Sequence, residues 1–167
     1  LDLLAAFGES AVSVDENWDN PEFQPDALWI QADDGTFSDQ APAWGMNDAF
    51  KSRGFALADL NGDGYLDVVK RQLHDGPARM LHSRCGDGAW LRVRLQADLP
   101  NTRAIGARVT VEAEGRTHLR TVTAGSTNVF GSSTPDIHVG LGDSSMVDSI
   151  EVEWPDGRTD TFFDVPV

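Results

Sequence analysis

From Trp90 onward the chain alternates apolar and polar residues with a period of two. Leu91, Val93 and Leu95 alternate with Arg92, Arg94 and Gln96, and Val109 and Val111 with Arg108, Thr110 and Glu112. Ile150, Val152 and Trp154 alternate with Ser149, Glu151 and Glu153, while Ile137, Val139 and Leu141 form a further set. Leu119 and Val122 are the apolar positions expected to face inward within Thr117–Thr123. Successive strand residues point to opposite faces, so this pattern predicts half-buried antiparallel strands. Pro155-Asp156-Gly157 is a turn signal ahead of Thr159–Phe163 and predicts a terminal hairpin. No segment carries a helical period. Several short strands separated by turns predict a β-sandwich or small barrel.

The first half carries a different signature. Asp59-Leu60-Asn61-Gly62-Asp63-Gly64-Tyr65-Leu66-Asp67 places oxygen-bearing side chains at positions 1, 3, 5 and 9 of a tight loop. Such spacing lets side chains 1, 3 and 5 converge while the backbone curls around a hard cation. Ca²⁺ takes six to eight oxygen ligands from loops of this kind. Gly64 permits the positive φ that the curl needs. Asp59, Asn61, Asp63 and Asp67, with the carbonyl of Tyr65, are therefore the candidate Ca²⁺ ligands. Position 12 is Lys70 rather than Glu, and the flanks Gly54–Ala58 and Tyr65–Lys70 read as strands. The unit is thus strand, loop, strand and not the helix-flanked EF-hand. Asn-Gly and Asp-Gly are also ordinary hairpin dipeptides, but a plain turn requires neither Asp59 nor Asp67.

Weaker echoes of this unit suggest a repeat. Leu1-Asp2-Leu3-Leu4 parallels Leu66-Asp67-Val68-Val69, so Asp2 resembles the last ligand of an earlier loop. Asp33-Asp34-Gly35 follows a strand-like Ala27–Gln31, and Cys85-Gly86-Asp87-Gly88 follows a strand-like Ala78–His82. Repeats of this kind bury their faces against neighbours. Residues 15–26 read as an acidic surface loop, with a second weak cation site conceivable within it.

The segment Gly54–Val69 resembles an FG-GAP or VCBS repeat, the blade unit of integrin-α-like β-propellers. That resemblance implies Ca²⁺ held by Asp59, Asn61, Asp63, Asp67 and the Tyr65 carbonyl. Residues from Trp90 to about Phe163 resemble the ASPIC/UnbV domain, on Trp90–Leu95, Ile105–Val109, Gly125-Ser126, His138–Gly142 and Val152–Arg158. The stretch Asp98–Ala104 lacks the acidic residue expected just before Ile105-Gly106-Ala107-Arg108. The expected organisation is 1–88 as partial propeller repeats and 89–167 as an ASPIC/UnbV-like β domain. A closed propeller needs at least four blades, and residues 1–88 hold about one and a half. The chain is therefore expected to be a C-terminal fragment of a longer protein. Open blade edges then favour self-association.

Charge limits the partners. Asp and Glu total 27 against 13 Lys and Arg, for a net charge of −14. Residues 1–88 carry 16 acids and 6 bases, so the loop-bearing half is the more acidic. Phosphate backbones call for clustered cations, so nucleic acid is excluded as the expected partner. No apolar stretch is long enough for a membrane helix. The expected location is secreted, periplasmic or cell-surface.

Catalytic constellations are poorly supported. Gly131-Ser132-Ser133-Thr134-Pro135 begins like a nucleophile elbow but lacks the closing glycine. Cys85, the only cysteine, precedes turn residues. His74, His82, His118 and His138 show no zinc spacing, and the last two fall at polar-face strand positions. Trp29, Trp90 and Trp154 fit core positions, whereas Trp18 and Trp44 lie in loops and suit ligand contact. The expected function is a calcium-binding, non-catalytic extracellular interaction module with a protein or glycan partner. The alternative is an enzyme or enzyme accessory acting on polysaccharide or a secondary metabolite. A purely architectural cap is the third reading.

Overall fold

The computed structural model describes residues 3–6, 25–47, 52–72, 77–83, 86–125 and 132–167. Twelve strands and no helix occur among these residues. The echo at Asp2, residues 15–24 of the acidic loop, Trp18, His74, Cys85 and Ser126 lie outside them. The chain divides into two compact units. The first comprises described residues within Leu1–Ala56, Val68–Leu81 and Asn128–Ser132. The second comprises those within Leu57–Asp67, His82–Thr127 and Ser133–Val167.

Two antiparallel three-stranded sheets appear in the first half. β1 (Leu3–Ala5), β2 (Ala27–Gln31) and β3 (Phe37–Asp39) pair in that order, as do β4 (Ser52–Ala58), β5 (Asp67–Gln72) and β6 (Arg79–Leu81). The Asp33-Asp34-Gly35 signal is the β2–β3 turn. Asp34 Oδ1 accepts the Thr36 N–H at 2.9 Å and its hydroxyl at 2.6 Å, and Gly35 adopts φ 83°. Leu28, Ala41 and Met46 form a small core, joined by Leu4, Ile30, Val68 and Leu81. Beside it lies a buried polar cluster. Lys70 Nζ reaches Asp26 Oδ2 at 2.5 Å, and the Ser52 hydroxyl donates to the same oxygen at 2.8 Å. Lys70 thus contributes its charge to Asp26 within the sheet rather than to the loop that precedes it.

The second unit is a sandwich. β12 (Thr159–Pro166), β11 (Met146–Glu153), β8 (Arg108–Ala113) and β9 (Arg116–Thr121) form one antiparallel sheet in that order. β7 (Ala89–Val93) and β10 (Ile137–Gly142) form a second, two-stranded sheet. Their inward residues share one core, centred on Val109, Val111, Val139, Val147 and Val152. Leu91 and Val93 of β7 pack onto it. The predicted alternation therefore holds on β7, β8, β10 and the second half of β11. The Pro155-Asp156-Gly157 turn is present: Trp154 and Arg158 close it through backbone hydrogen bonds, with Gly157 at φ 88°.

Two expectations are corrected. Leu119 is 48% exposed, and its neighbour His118 takes the inward position opposite Val111. β9 is an edge strand, so its inward face is only partly covered and tolerates a polar ring. Burial, then the charges of Arg120 and Arg116, hold the His118 imidazole below its ordinary pKa. Trp29, Trp90 and Trp154 are all half-buried, and of the three Trp154 packs against the sandwich core as expected while Trp29 and Trp90 do not join a core cluster. Trp154 leaves its Nε1–H on Asp160 at 2.7 Å and lies under the Arg158 guanidinium.

Removing one member of a buried ion pair strands the other charge in a medium that solvates it poorly. Lys70→Ala should lower stability by about 3–5 kcal/mol in urea unfolding. The double variant Lys70→Met, Asp26→Leu should recover most of that loss; equal losses in both would rule out the pair as the cause.

Candidate functional site

The loop between β4 and β5 is a curled crown held by its own acidic side chains. Asp59 Oδ1 accepts the N–H groups of Gly62 at 2.7 Å and Asp63 at 3.1 Å, while Oδ2 accepts that of Gly64 at 3.2 Å. Gly62 and Gly64 adopt φ 79° and 90°, which side chains with a Cβ rarely take. Asn61 Oδ1 accepts the Asp63 N–H at 3.1 Å, and Asn61 Nδ2 donates to Asp63 Oδ2 at 2.8 Å. Asp63 Oδ1 accepts the Tyr65 N–H at 2.9 Å. Each acid folds back onto an N–H further along the chain, the local geometry that short Asp and Asn side chains favour.

Asp67 occupies a different position. It is fully buried at the base of the crown. Its Oδ2 accepts the Leu60 N–H at 3.0 Å, and its Oδ1 accepts the Ser83 N–H at 3.0 Å and lies 3.2 Å from His82 Nδ1. Burial pushes this carboxyl upward, but the Leu60 and Ser83 N–H groups and His82 outweigh it and leave the pKa below 3.8. The carboxylate form is therefore the one that the fold holds. Tyr65 directs its hydroxyl to the Gly88 carbonyl at 3.4 Å, and its ring packs against Gly86.

Hydrogen bonds thus link Asp59, Asn61 and Asp63 on the exposed crown, and Asp67 anchors the crown's base. Among the described residues no three His, Cys, Asp or Glu side chains form a metal-ligating group. The crown's donor set is of another kind: two carboxylates, one amide oxygen and backbone carbonyls. Each oxygen of Asp63 accepts a single hydrogen bond, and a carboxylate offers about four lone-pair sites. The chemistry of these donors fits a hard, oxygen-seeking cation.

Two residues outside the motif grip the crown. His138 donates its Nε2–H to the Gly64 carbonyl at 2.7 Å. Trp90 stacks on His138, with ring centroids 5.7 Å apart and planes 8° from parallel. A Cβ on Gly64 would lie 1.8 Å from Trp90 Nε1. Gly64 is therefore required twice, by its backbone angle and by the indole against it. Sequence alone placed Trp90 in the core and His138 on a polar face. The antiparallel register, Arg92 opposite His138 and Trp90 opposite Gly140, sets the two rings diagonally on the outer face of β7 and β10. Pairing between strands so distant in the chain leaves no local mark.

Next along this face, Arg94 forks onto Asp136, with Nη2 to Oδ2 at 2.6 Å and Nε to Oδ2 at 3.0 Å. That fork, against the opposing effect of burial, lowers the Asp136 pKa below 3.8. Trp44 is 61% exposed in the turn after β3, as its loop position suggested.

Gly64→Ala should cost about 2 kcal/mol or more and displace the Trp90 indole N–H resonance. Unchanged stability with an unmoved indole signal would refute the close packing. Because Asp136 has a lowered folded-state pKa, its ion pair contributes fully above 3.8 and is lost as pH falls through the folded value. Carboxyl NMR titration should show the Asp136 midpoint rising in Arg94→Gln; a midpoint that stays put would remove Arg94 as the cause.

An FG-GAP-like repeat model matches residues 1–69, which include the crown. An ASPIC and UnbV model matches residues 97–167, which include β8 to β12. The chain is 33% identical over 119 residues to Cartilage acidic protein 1 of Xenopus tropicalis, and equally so to that of Homo sapiens. These alignments cover 65% of this chain but only 17% and 16% of the relatives' own lengths. The chain is thus similar, in order along its length, to an FG-GAP-like repeat over β1 to β4 and the crown and to an ASPIC and UnbV domain over β8 to β12.

Proposed function

We propose that the Asp59–Asp67 crown binds Ca²⁺ and that the chain works as a non-catalytic extracellular interaction module. The observation that carries this reading is the hydrogen-bonded gathering of Asp59, Asn61 and Asp63 on a loop whose two glycines permit the curl. Asp59, Asn61, Asp63, the Tyr65 carbonyl and Asp67 would hold the ion. Bound Ca²⁺ would supply charge neutralisation and cross-linking of the loop. Asp67 already spends hydrogen bonds on the base of the crown, so its first contribution is to fix the loop's entry.

The surrounding charge supports the reading. An acidic chain raises the local concentration of divalent cations, and the net charge here is −14. Extracellular Ca²⁺ modules typically bind at about 10⁻⁴–10⁻³ M. The relatives carry the name Cartilage acidic protein 1, in keeping with a secreted or cell-surface location and a protein or glycan partner. Exposed edge strands offer a route to self-association.

Calorimetric titration of Ca²⁺ into the chelated chain should give saturable heat and a raised Tm at millimolar ion. Asp63→Ala should abolish both. Absence of heat and of a thermal shift in the parent chain would defeat the proposal. Equal binding by Asp63→Ala would move the site elsewhere.

A further inference from the structure

Strand alternation puts Arg92 and Arg94 on the face of β7 opposite Leu91 and Val93, which pack into the core. Arg94 is taken by Asp136. Arg92, one pleat along, has no hydrogen-bond acceptor among the described residues. Beside it opens a cleft of about 270 Å³, lined also by Arg120 from β9. Arg120 gives one N–H to the Leu119 carbonyl at 3.0 Å and keeps its remaining donors.

Two hydroxyls of the cleft are donors too. Ser133 Oγ accepts the Leu57 N–H, and Thr134 Oγ1 accepts the Asp136 N–H, each at 3.3 Å. Both hydroxyl hydrogens therefore remain to be given. The two acids on the lining already accept hydrogen bonds, Asp59 from three backbone N–H groups and Asp136 from the Arg94 fork. Two guanidiniums and two hydroxyl hydrogens thus face the cleft beside two carboxylates that are already hydrogen-bonded. Leu57, Leu66, Pro135 and Ile137 supply an apolar wall. Guanidiniums and hydroxyl donors placed in this way suit an anion.

We propose that this cleft binds a small organic carboxylate. Arg92 and Arg120 grip the carboxylate, Ser133 and Thr134 donate to its oxygens or to a neighbouring hydroxyl, and the apolar wall takes the carbon skeleton. Guanidinium forks match planar carboxylates in geometry. The volume lies below the usual range of about 300–1,000 Å³ for drug-sized ligands, so the ligand has the size of one sugar or one amino acid. The inference does not rest on calcium binding, and its test is run on protein stripped of calcium and then dialysed free of chelator.

The test is a ¹H–¹⁵N NMR titration of the full chain with D-glucuronate, succinate, glucose and inorganic phosphate, each separately. Saturable shifts at the amides of Arg92, Thr134 and Asp136 with glucuronate, succinate or both support the proposal. Glucuronate alone identifies an acidic sugar as the ligand, and succinate alone an open-chain acid. Arg92→Gln and Arg120→Gln, each on an exposed side chain, should weaken binding about tenfold. Arg116→Gln, which removes the same charge elsewhere on β9, should leave it unchanged. Phosphate or glucose binding as tightly as the carboxylates overturns the proposal. So do non-saturating shifts with every probe, or an equal loss in Arg116→Gln.

Discussion

Val109, Val111, Val139 and Val152 are almost wholly buried against one another, and that contact decides what every other strand residue does. A strand has only two faces. Once these valines are committed to the shared core, Arg92, Arg94 and His138 have no alternative but the outside. The register of β7 against β10 then sets Trp90 and His138 diagonally, where the rings stack. A slip of one residue would exchange the faces and drive two arginines into the core. Apolar burial thus specifies, without touching them, the aromatic pair under the crown and the Arg92 guanidinium beside it.

The polar groups follow a complementary rule: the buried charges of Asp67 and Lys70 each meet partners that the fold brings to them. Asp67 is buried as a carboxylate because two N–H groups and an imidazole meet it. Lys70 is buried because Asp26 does the same. Asp59 takes three N–H donors from the turn it opens. An acid-rich surface would otherwise splay this loop by mutual repulsion, and the donors counter that tendency from within.

Much of the fold is legible in the sequence where a local rule is strong. Ala27–Gln31 is a strand with the bounds that its pattern suggests, and Val109, Val111, Ile137, Val139, Ile150 and Val152 face inward. Gly64 reads correctly as a positive-φ position because its neighbours are turn residues. Legibility fails where a partner lies far along the chain. Leu119 mimics a core position, yet β9 lies at a sheet edge and turns it outward. Lys70 looks like a hindrance at the twelfth loop position, and only the fold brings Asp26 to it. The grip of Trp90 and His138 on Gly64 is invisible for the same reason, since no local pattern announces a contact across seventy-four residues.

That grip makes the crown inseparable from its surroundings. The nine residues read as a portable cassette, but the peptide after Gly64 owes its orientation to an imidazole from another strand. Excised as a peptide, or grafted onto a foreign hairpin, the same letters would lose the wall that shapes them. Evolutionary change at position 90 or 138 therefore edits the loop as directly as change at positions 59 to 67.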